Sequence, residues 1–567
     1  MKKLLNSKFD WIVVLLVLIG LNILSAFWHF RIDLTSENRY TLSAPTKKLL
    51  KGLKEPVKIT VFLEGDLPSG FKKLANSSRE LLEEFKEYGG SKIQFKFEKI
   101  GEGLEGTDKD IYLDSMVRLG IKPYNIKVQA KEGDANEERL VVPGAIIETK
   151  GIVKAINLLS GQQSSSLDQA VINSTEALLE YKFGQAIQKA TEERTPLVGY
   201  LLGNGETFNP NVNSLVREVL MQNYQTDFLP IDSVGFVSQE YDALVVMKPT
   251  KPFNDQQKIK IDQYIMNGGK VLWLIDRLYA EMDSLLRTQS DFIAFDRNLN
   301  LEDQLFRYGV RINPDLVQDL QSDKFPLVVG SVGDQPQMEL VDWPYFPVLS
   351  SYTNNSISKN LNQVLSIFPN SIDTVATPEV KKTVLLATSA NARTLSTPAI
   401  VSLNSVKTEE DVKTFTKKHI PIAMLLEGKF TSLYNNRLPK AILDTLAAMK
   451  LPFQSHSIQN KMIVISDADI ATNVVTQKEG PLPVGMNQFT KMQYANKDFL
   501  LNCMEYLVNP SGILETRAKD FTLRLLDPKK VEEERTTWQL LNIAGPVVII
   551  ILFGFIFQSL RKRKYQR

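Results

Sequence analysis

Five carboxylates and one amide stand just after apolar runs of the chain. Asn204 and Glu206 follow "PLVGYLL", Asp276 follows "KVLWLI", Glu427 follows "IPIAMLL", and Asp467 and Asp469 follow "MIVIS". If these runs are strands of one open α/β sheet, their carboxyl ends share the edge at which such sheets bind ligands. Carboxylates gathered there accept hydrogen bonds from a polar ligand, and Asn204 adds an amide. The competing reading is local, because an Asp or Glu after a strand also caps the next helix or solvates a loop.

Other chemistry is missing from the chain. Cys503 is the one cysteine, so no intramolecular disulfide forms. It lies in "KDFLLNCMEYL", an amphipathic helix in which a buried structural thiol is the expected state. No GxSxG or GxCxG elbow occurs, so no nucleophile and no catalytic residue is expected. The histidines, His29, His419 and His456, are scattered and belong to no HExxH, so no metal site is expected. "NGGKVLW" lacks the GxxxxGK[ST] spacing and "GNGE" is not GxGxxG, which leaves no phosphate cradle, no ATPase and no cofactor. Lys and Arg number 67 against 65 Asp and Glu with no basic patch, so nucleic acid is not expected as a partner.

The elements that position the carboxylates read as follows. Residues 191–510 alternate buried-type strands with amphipathic helices: strand "PLVGYLL", helix "VNSLVREVLMQ", strands "TDFLPI" and "YDALVVMKP", helix "NDQQKIKIDQYIMNGG", strand "KVLWLID". Asn254 with Gln257 makes a capping box, and Gly268 ends that helix. "KTVLLATS", "IPIAMLLEG" and "MIVISDAD" add later strands. Continuous apolar strands between helices predict a doubly wound parallel sheet of glutaminase or flavodoxin type. Residues 31–190 predict a smaller α/β domain. Ser43 caps a helix ending at Gly52, and strand "VKITVFLEG" follows. Phe71, Leu74, Leu81, Leu82 and Phe85 then mark a helix before strand "IQFKFEKI". This βαβ order, with the later hairpin "VVPGAIIETKGIVKAINLL", suits a thioredoxin-like layout without CxxC and therefore without redox chemistry. The loop "SGQQSSSLDQ" and helix "STEALLEYKFGQAIQKAT" lead to the second domain.

Two apolar stretches bracket these domains. Trp11 to Phe30 carries no charge and has the length of a bilayer-spanning helix. Residues 539–560 form a second span, interrupted by Asn542, Pro546 and Gln558. Lys2, Lys3 and Lys8 before the first, and "RKRKYQR" after the second, put residues 1–10 and 561–567 in the cytoplasm as tails. Residues 31–535 are then expected in the periplasm, with 511–538 as a stem beside the lipid bilayer. Removing the eight basic tail residues and Asp10 leaves 59 basic against 64 acidic residues, so the exported part is mildly acidic, at about −5.

The stretches "DLTSENRYTLS", "GNGE", "PTKPFNDQQKIKIDQYIMNGGKVLWLID", "LNLEDQLFRYGVRINPDLVQD", "PNSID", "LLEGKFTSLYNNR" and "LRLLDPKKVEEERTTWQLLN" resemble the GldG family of gliding-motility-associated auxiliary proteins of Bacteroidetes. The likeness covers nearly the whole chain. It implies an inner-membrane accessory subunit of an ABC transporter, often labelled substrate-binding, whose partners are a multi-span permease and a cytoplasmic ATPase. The family's turn is usually Gly-His-Gly-Glu; Asn204 stands in place of the histidine, so no metal or acid/base role carries over to this turn. The ligand is unknown from sequence. Two other functions stay open: a membrane-tethered glycan-binding scaffold of the cell envelope, and a hydrolase using the crevice.

Overall fold

The computed structural model describes residues 15–20, 41–121, 123–128, 137–159, 169–282, 291–332, 335–403, 408–440, 443–444, 452–518 and 528–565. The first expected span falls almost wholly outside them, as do most of "DLTSENRYTLS" and the loop 160–168. The chain divides into two units, residues 1–519 and 520–567.

The first unit begins with the expected helix, Ala44–Lys51, whose N-cap is Ser43. Gly52 follows in a right-handed conformation, so the left-handed exit expected of a glycine there is not used. Val57–Val61 pairs in parallel with Ile93–Phe97 and antiparallel with Gly144–Thr149, which forms a hairpin with the edge strand Ile152–Asn157. The crossover helix Ser69–Gly89 buries Phe71, Leu74, Leu82 and Phe85 against this sheet. Leu81, also expected on that face, is half-buried at its margin. A helix, Gly106–Arg118, and a small antiparallel pair, Tyr124–Val128 with Glu137–Val141, lie between the βαβ unit and the hairpin.

The helix Gln169–Thr191 belongs to two cores. Leu179, Phe183 and Ile187 pack into the small sheet's core, and Tyr181 packs into that of the large sheet. Both ends of the folded unit also meet on it. The amide of Ser43 donates to Glu180 Oε1 at 2.8 Å, and the Arg517 guanidinium lies 5.0 Å from the Tyr181 ring centroid. A Cβ at Gly184 would lie 3.6 Å from Ile513 and 3.9 Å from Thr46, so the entering and leaving segments cross at that glycine.

The large sheet has seven strands in the order Val380–Ala387, Pro421–Thr431, His456–Ile465, Val271–Leu274, Ala243–Met247, Leu197–Leu202, Gln225–Pro230. The last five run parallel. Pro421–Thr431 runs antiparallel to both of its neighbours, so the expectation of a wholly parallel sheet is corrected to a mixed one. The reason is physical: an apolar strand buried on both faces encodes burial, which is the same in either direction, whereas direction is set by pairing. The capping box at Asn254 and Gln257 forms as expected, and Gly268 takes φ +98° after the helix. "VNSLVREVLMQ" winds as a π-helix over Ser214–Met221 rather than an α-helix.

Residues 278–374, with the strands Ala392–Ser396 and Ala399–Ser402, build a β-rich layer that no sequence pattern announced. Its long hairpin, Ser322–Val332 with Gln335–Leu349, packs through Phe325, Trp343, Tyr345 and Phe346 into an aromatic core. The second unit is the helix Pro528–Tyr565, which carries Pro546 in its interior. Among the described residues one helix, Glu534–Arg563, is long and apolar enough to cross a membrane. The start of the expected stem, Ile513–Ala518, is a 3₁₀ turn of the first unit, and 519–527 lie outside the described residues.

Candidate functional site

The strand Leu197–Leu202 has Gln225–Pro230 on one side and Ala243–Met247 on the other, so the chain reverses its winding there. The crevice outside the carboxyl ends of the strands at such a switch point is where open α/β sheets bind ligands. The GNGE turn stands at this point. Gly203 and Gly205 adopt φ +142° and +73°, and a Cβ on Gly205 would come within 2.2 Å of Thr250 Oγ1. Glycine is therefore required for the two strand ends to approach. The carbonyl of Asn204 accepts from the amides of Thr250 and Lys251 at 2.9 and 2.8 Å, which joins the turn to the neighbouring strand end. Asn204 Nδ2 donates to Pro252 O at 3.1 Å and to Gln257 Oε1 at 2.9 Å, and the Asn204 amide donates to Glu206 Oε2 at 2.7 Å. Asn204 and Glu206 thus hold the turn's shape. Burial raises the Glu206 carboxyl above its ordinary value, against bonds from its own amide and those of Asn204 and Gly203.

The charged centre is Lys248, which follows Ala243–Met247 with φ +48°. Its Nζ lies 2.5 Å from Asp469 Oδ1, 3.2 Å from Asp276 Oδ2 and 3.2 Å from Glu281 Oε2. Burial opposes the ammonium, but Asp469, Asp276 and Glu281 outweigh it and hold Lys248 well above the usual lysine value. Arg297 pairs with the other oxygen of Glu281. Asp276 Oδ1 also accepts from the Ala468 amide at 2.6 Å. Asp467, fully buried, accepts from the amides of Asp469 and Ile367, each at 2.8 Å, and from Ser366 Oγ. It is a cap and a tie to the β-rich layer. Burial, then Asp469 and Asp276, push its carboxyl well above the carboxylate range. Burial also pushes Asp469 up to about 6, although Lys248 pulls the other way.

Beside this cluster is a cavity of about 500 Å³. Lys248, Glu281 and Asp469 form one end. Phe325, Phe346 and Leu365 from the β-rich layer, with Phe489 from the loop before Asn496–Val508, form much of the rest.

Of the six residues expected at the crevice, Asp276 and Asp469 converge on Lys248, with Asp467 beside them. Asn204 and Glu206 stand at the adjoining turn. Glu427 does not join them. Its strand runs the other way, so it pairs with Lys461 rather than with the strand end at Ile465, and it accepts from Tyr506 Oη at 2.6 Å. Lys248 and Glu281 were missed. Lys248 follows its strand just as Asp276 does, so a search of strand ends for cations as well as anions would have found it. Glu281 has no such signal.

Two family models match the chain. Residues 195–503, more than half its length, match a family described as an ABC-type uncharacterized transport system, auxiliary component. Residues 36–148 match a domain of unknown function (DUF7088). An uncharacterized protein of Borreliella burgdorferi is 21% identical over 455 residues, covering 77% of this chain and 80% of that protein. The mmIFT52 N-terminal domain, a solved structure, aligns over 55% of this chain and 97% of its own at 13% identity. The TM-score is 0.30. The crevice lies inside the larger matched region, and the chain belongs to the auxiliary family of ABC-type uncharacterized transport systems.

Proposed function

We propose that the chain is a non-catalytic, membrane-anchored subunit that works with a multi-span permease and a cytoplasmic ATPase. Both termini are cytoplasmic, and residues 31–535 stand in the periplasm at the bacterial inner membrane. The observation that carries this reading is that one chain holds both an apolar helix of membrane-spanning length, Glu534–Arg563, and a folded unit whose strand ends open on a cavity. One or two spans are too few for a transporter pore of the chain's own, and without a phosphate-cradling loop it has no ATP site, so it acts through partners that supply both. In a gliding bacterium, as the likeness to the GldG family suggests, its loss abolishes gliding.

The crossing of the entering and leaving segments at Gly184 supports force transmission as well as ligand presentation. A pull on either end reaches Gln169–Thr191, and that helix belongs to both cores. Purification of the full chain in mild detergent tests the reading. A permease and an ATPase co-elute under it, and a chain that elutes alone under conditions preserving other transporters overturns it. Labelling of an engineered cysteine at the exposed Lys478 from outside intact cells checks the topology.

A further inference from the structure

We propose that the cavity takes an organic cation: a protonated amine joined to an aromatic or aliphatic body. This rests on the reading of the crevice as a ligand site and names the class of ligand. Among the described residues six side-chain amides line the cavity, and three of them, Asn473, Asn487 and Asn496, are fully engaged. Asn473 Nδ2 donates to Pro210 O at 3.0 Å, and its Oδ1 accepts from the Ser214 amide at 3.1 Å. Asn487 Nδ2 donates to Asp323 and to Lys324 O at 2.6 and 2.9 Å, while its Oδ1 takes the amide of Phe489 at 2.7 Å. Asn496 Nδ2 donates to Leu365 O and Ile470 O at 2.8 and 3.0 Å, and its Oδ1 accepts from the Leu365 amide at 2.9 Å. These three shape the wall and have little left to offer a guest, whereas Asn209, Asn211 and Gln488 add neutral polar groups at its margin.

The charged end differs. Lys248 Nζ donates to Glu281 and Asp469 and lies 3.2 Å from Asp276 Oδ2, and Arg297 holds the other Glu281 oxygen, so an anionic head group entering the cavity finds both cations of the cluster already facing carboxylates. Both oxygens of Glu281 are taken, by Lys248 and Arg297. Asp469 Oδ1 receives Lys248 and, at 3.1 Å, Thr472 Oγ1. Among the described residues no donor reaches Asp469 Oδ2, and Asp469 lines the cavity. Three carboxylates stand against Lys248 and Arg297, so the cluster carries one excess negative charge. The unmatched charged group is therefore an acceptor with negative charge, and its complement is a charged donor. The opposite wall is apolar. The Phe325 ring lies 5.7 Å from that of Phe346 and 5.4 Å from that of Phe489, both edge to face, and Met282, Met486 and Leu365 add further apolar lining. A cavity of about 500 Å³ is an ordinary size for a small organic ligand.

The test uses the full chain in nanodiscs, calorimetry, and three probes of one shape: 3-phenylpropylamine, 3-phenylpropanol and 3-phenylpropionate. The amine binds about tenfold or more tightly than the alcohol, as a charge-assisted bond predicts, and the acid binds weakest. In Asp469→Asn the gap between amine and alcohol closes to within about twofold, while Glu427→Gln, outside the cavity, leaves the ranking intact. Should Asp469→Asn fail to fold, the ranking on the wild-type chain decides. Phenylalanyl-alanine amide with a free or an acetylated amino end separates the sources. Tight binding of the free form alone points to a peptide amino terminus, and binding of the small amine without the peptide points to a metabolite amine. Equal or tighter binding of the acid, or no binding of any probe at millimolar concentration, overturns the proposal. Co-elution with a permease and an ATPase is scored separately, so the two readings fail independently.

Discussion

Replacing Lys248 by methionine removes the cation that Asp276, Glu281 and Asp469 share while keeping the side chain's length. The backbone strain at φ +48° falls on both residues alike and cancels. At an effective dielectric constant near 20, a pair at 3.2 Å contributes about 5 kcal/mol before desolvation is subtracted. The Lys248 and Asp276 side chains are 8% and 9% exposed, so loss of the cation leaves carboxylates that water reaches poorly. Breaking a buried pair in this way costs about 3 to 5 kcal/mol. Proton uptake sets the ceiling. Neutralising one carboxyl of ordinary pKa 3.8 costs about 4 kcal/mol at pH 7 and under about 2 kcal/mol at pH 5. The variant should therefore lose about 4 kcal/mol at pH 7.

The sign of the pH dependence follows from proton counting. In the variant the folded state holds a proton that the unfolded state lacks between roughly pH 4 and 7, so its stability rises as the solution is acidified. Asp469 of the wild-type chain has the same sign, because its folded value of about 6 exceeds 3.8. The penalty read as variant minus wild type should thus shrink by about 1 to 3 kcal/mol between pH 7 and pH 5. Guanidinium denaturation followed by the fluorescence of buried Trp273 and Trp343 measures it. A penalty below about 1 kcal/mol at pH 7, or one unchanged at pH 5, refutes the account of the cluster.

Gly205→Ala forces a Cβ to 2.2 Å from Thr250 Oγ1 at φ +73°, and it should cost about 2 to 4 kcal/mol and lower the melting temperature. Cys503 is fully buried, and burial pushes its thiol well above the usual value. Cys503→Ala should cost about 1 to 2 kcal/mol without loss of complex assembly, and iodoacetamide should label the wild-type thiol only after unfolding. Flexible Gly/Ser segments of about ten residues, inserted after Arg31 and before Trp538, should leave assembly intact and abolish gliding or transport. Survival of both would mean that the segments are only tethers.

Much of the fold was legible because its signals are local. The Ser43 cap, the Asn254 and Gln257 capping box and the stripe Phe71, Leu74, Leu82, Phe85 each depend on neighbours within one or a few turns. Asp276 and Asp469 were legible as crevice residues because their strands run in the common direction. Glu427 was misplaced because the reversal of Pro421–Thr431 leaves no mark on a strand buried on both faces.

The sequence by itself determined the helices and strands of the small sheet and most strands of the large one, and it marked a C-terminal stretch long and apolar enough for a bilayer. Only the tertiary structure decided what the carboxylates do. Lys248 meets Asp469 across 221 residues of chain, and Asn487 meets Asp323 across 164. The β-rich layer that walls the cavity packs through aromatic contacts between residues as distant as Phe325 and Phe489. Periodicity reports the environment of a residue along its own element. The identity of the opposing partner follows from how sheets close on one another, and distant pairings of that kind leave no local trace.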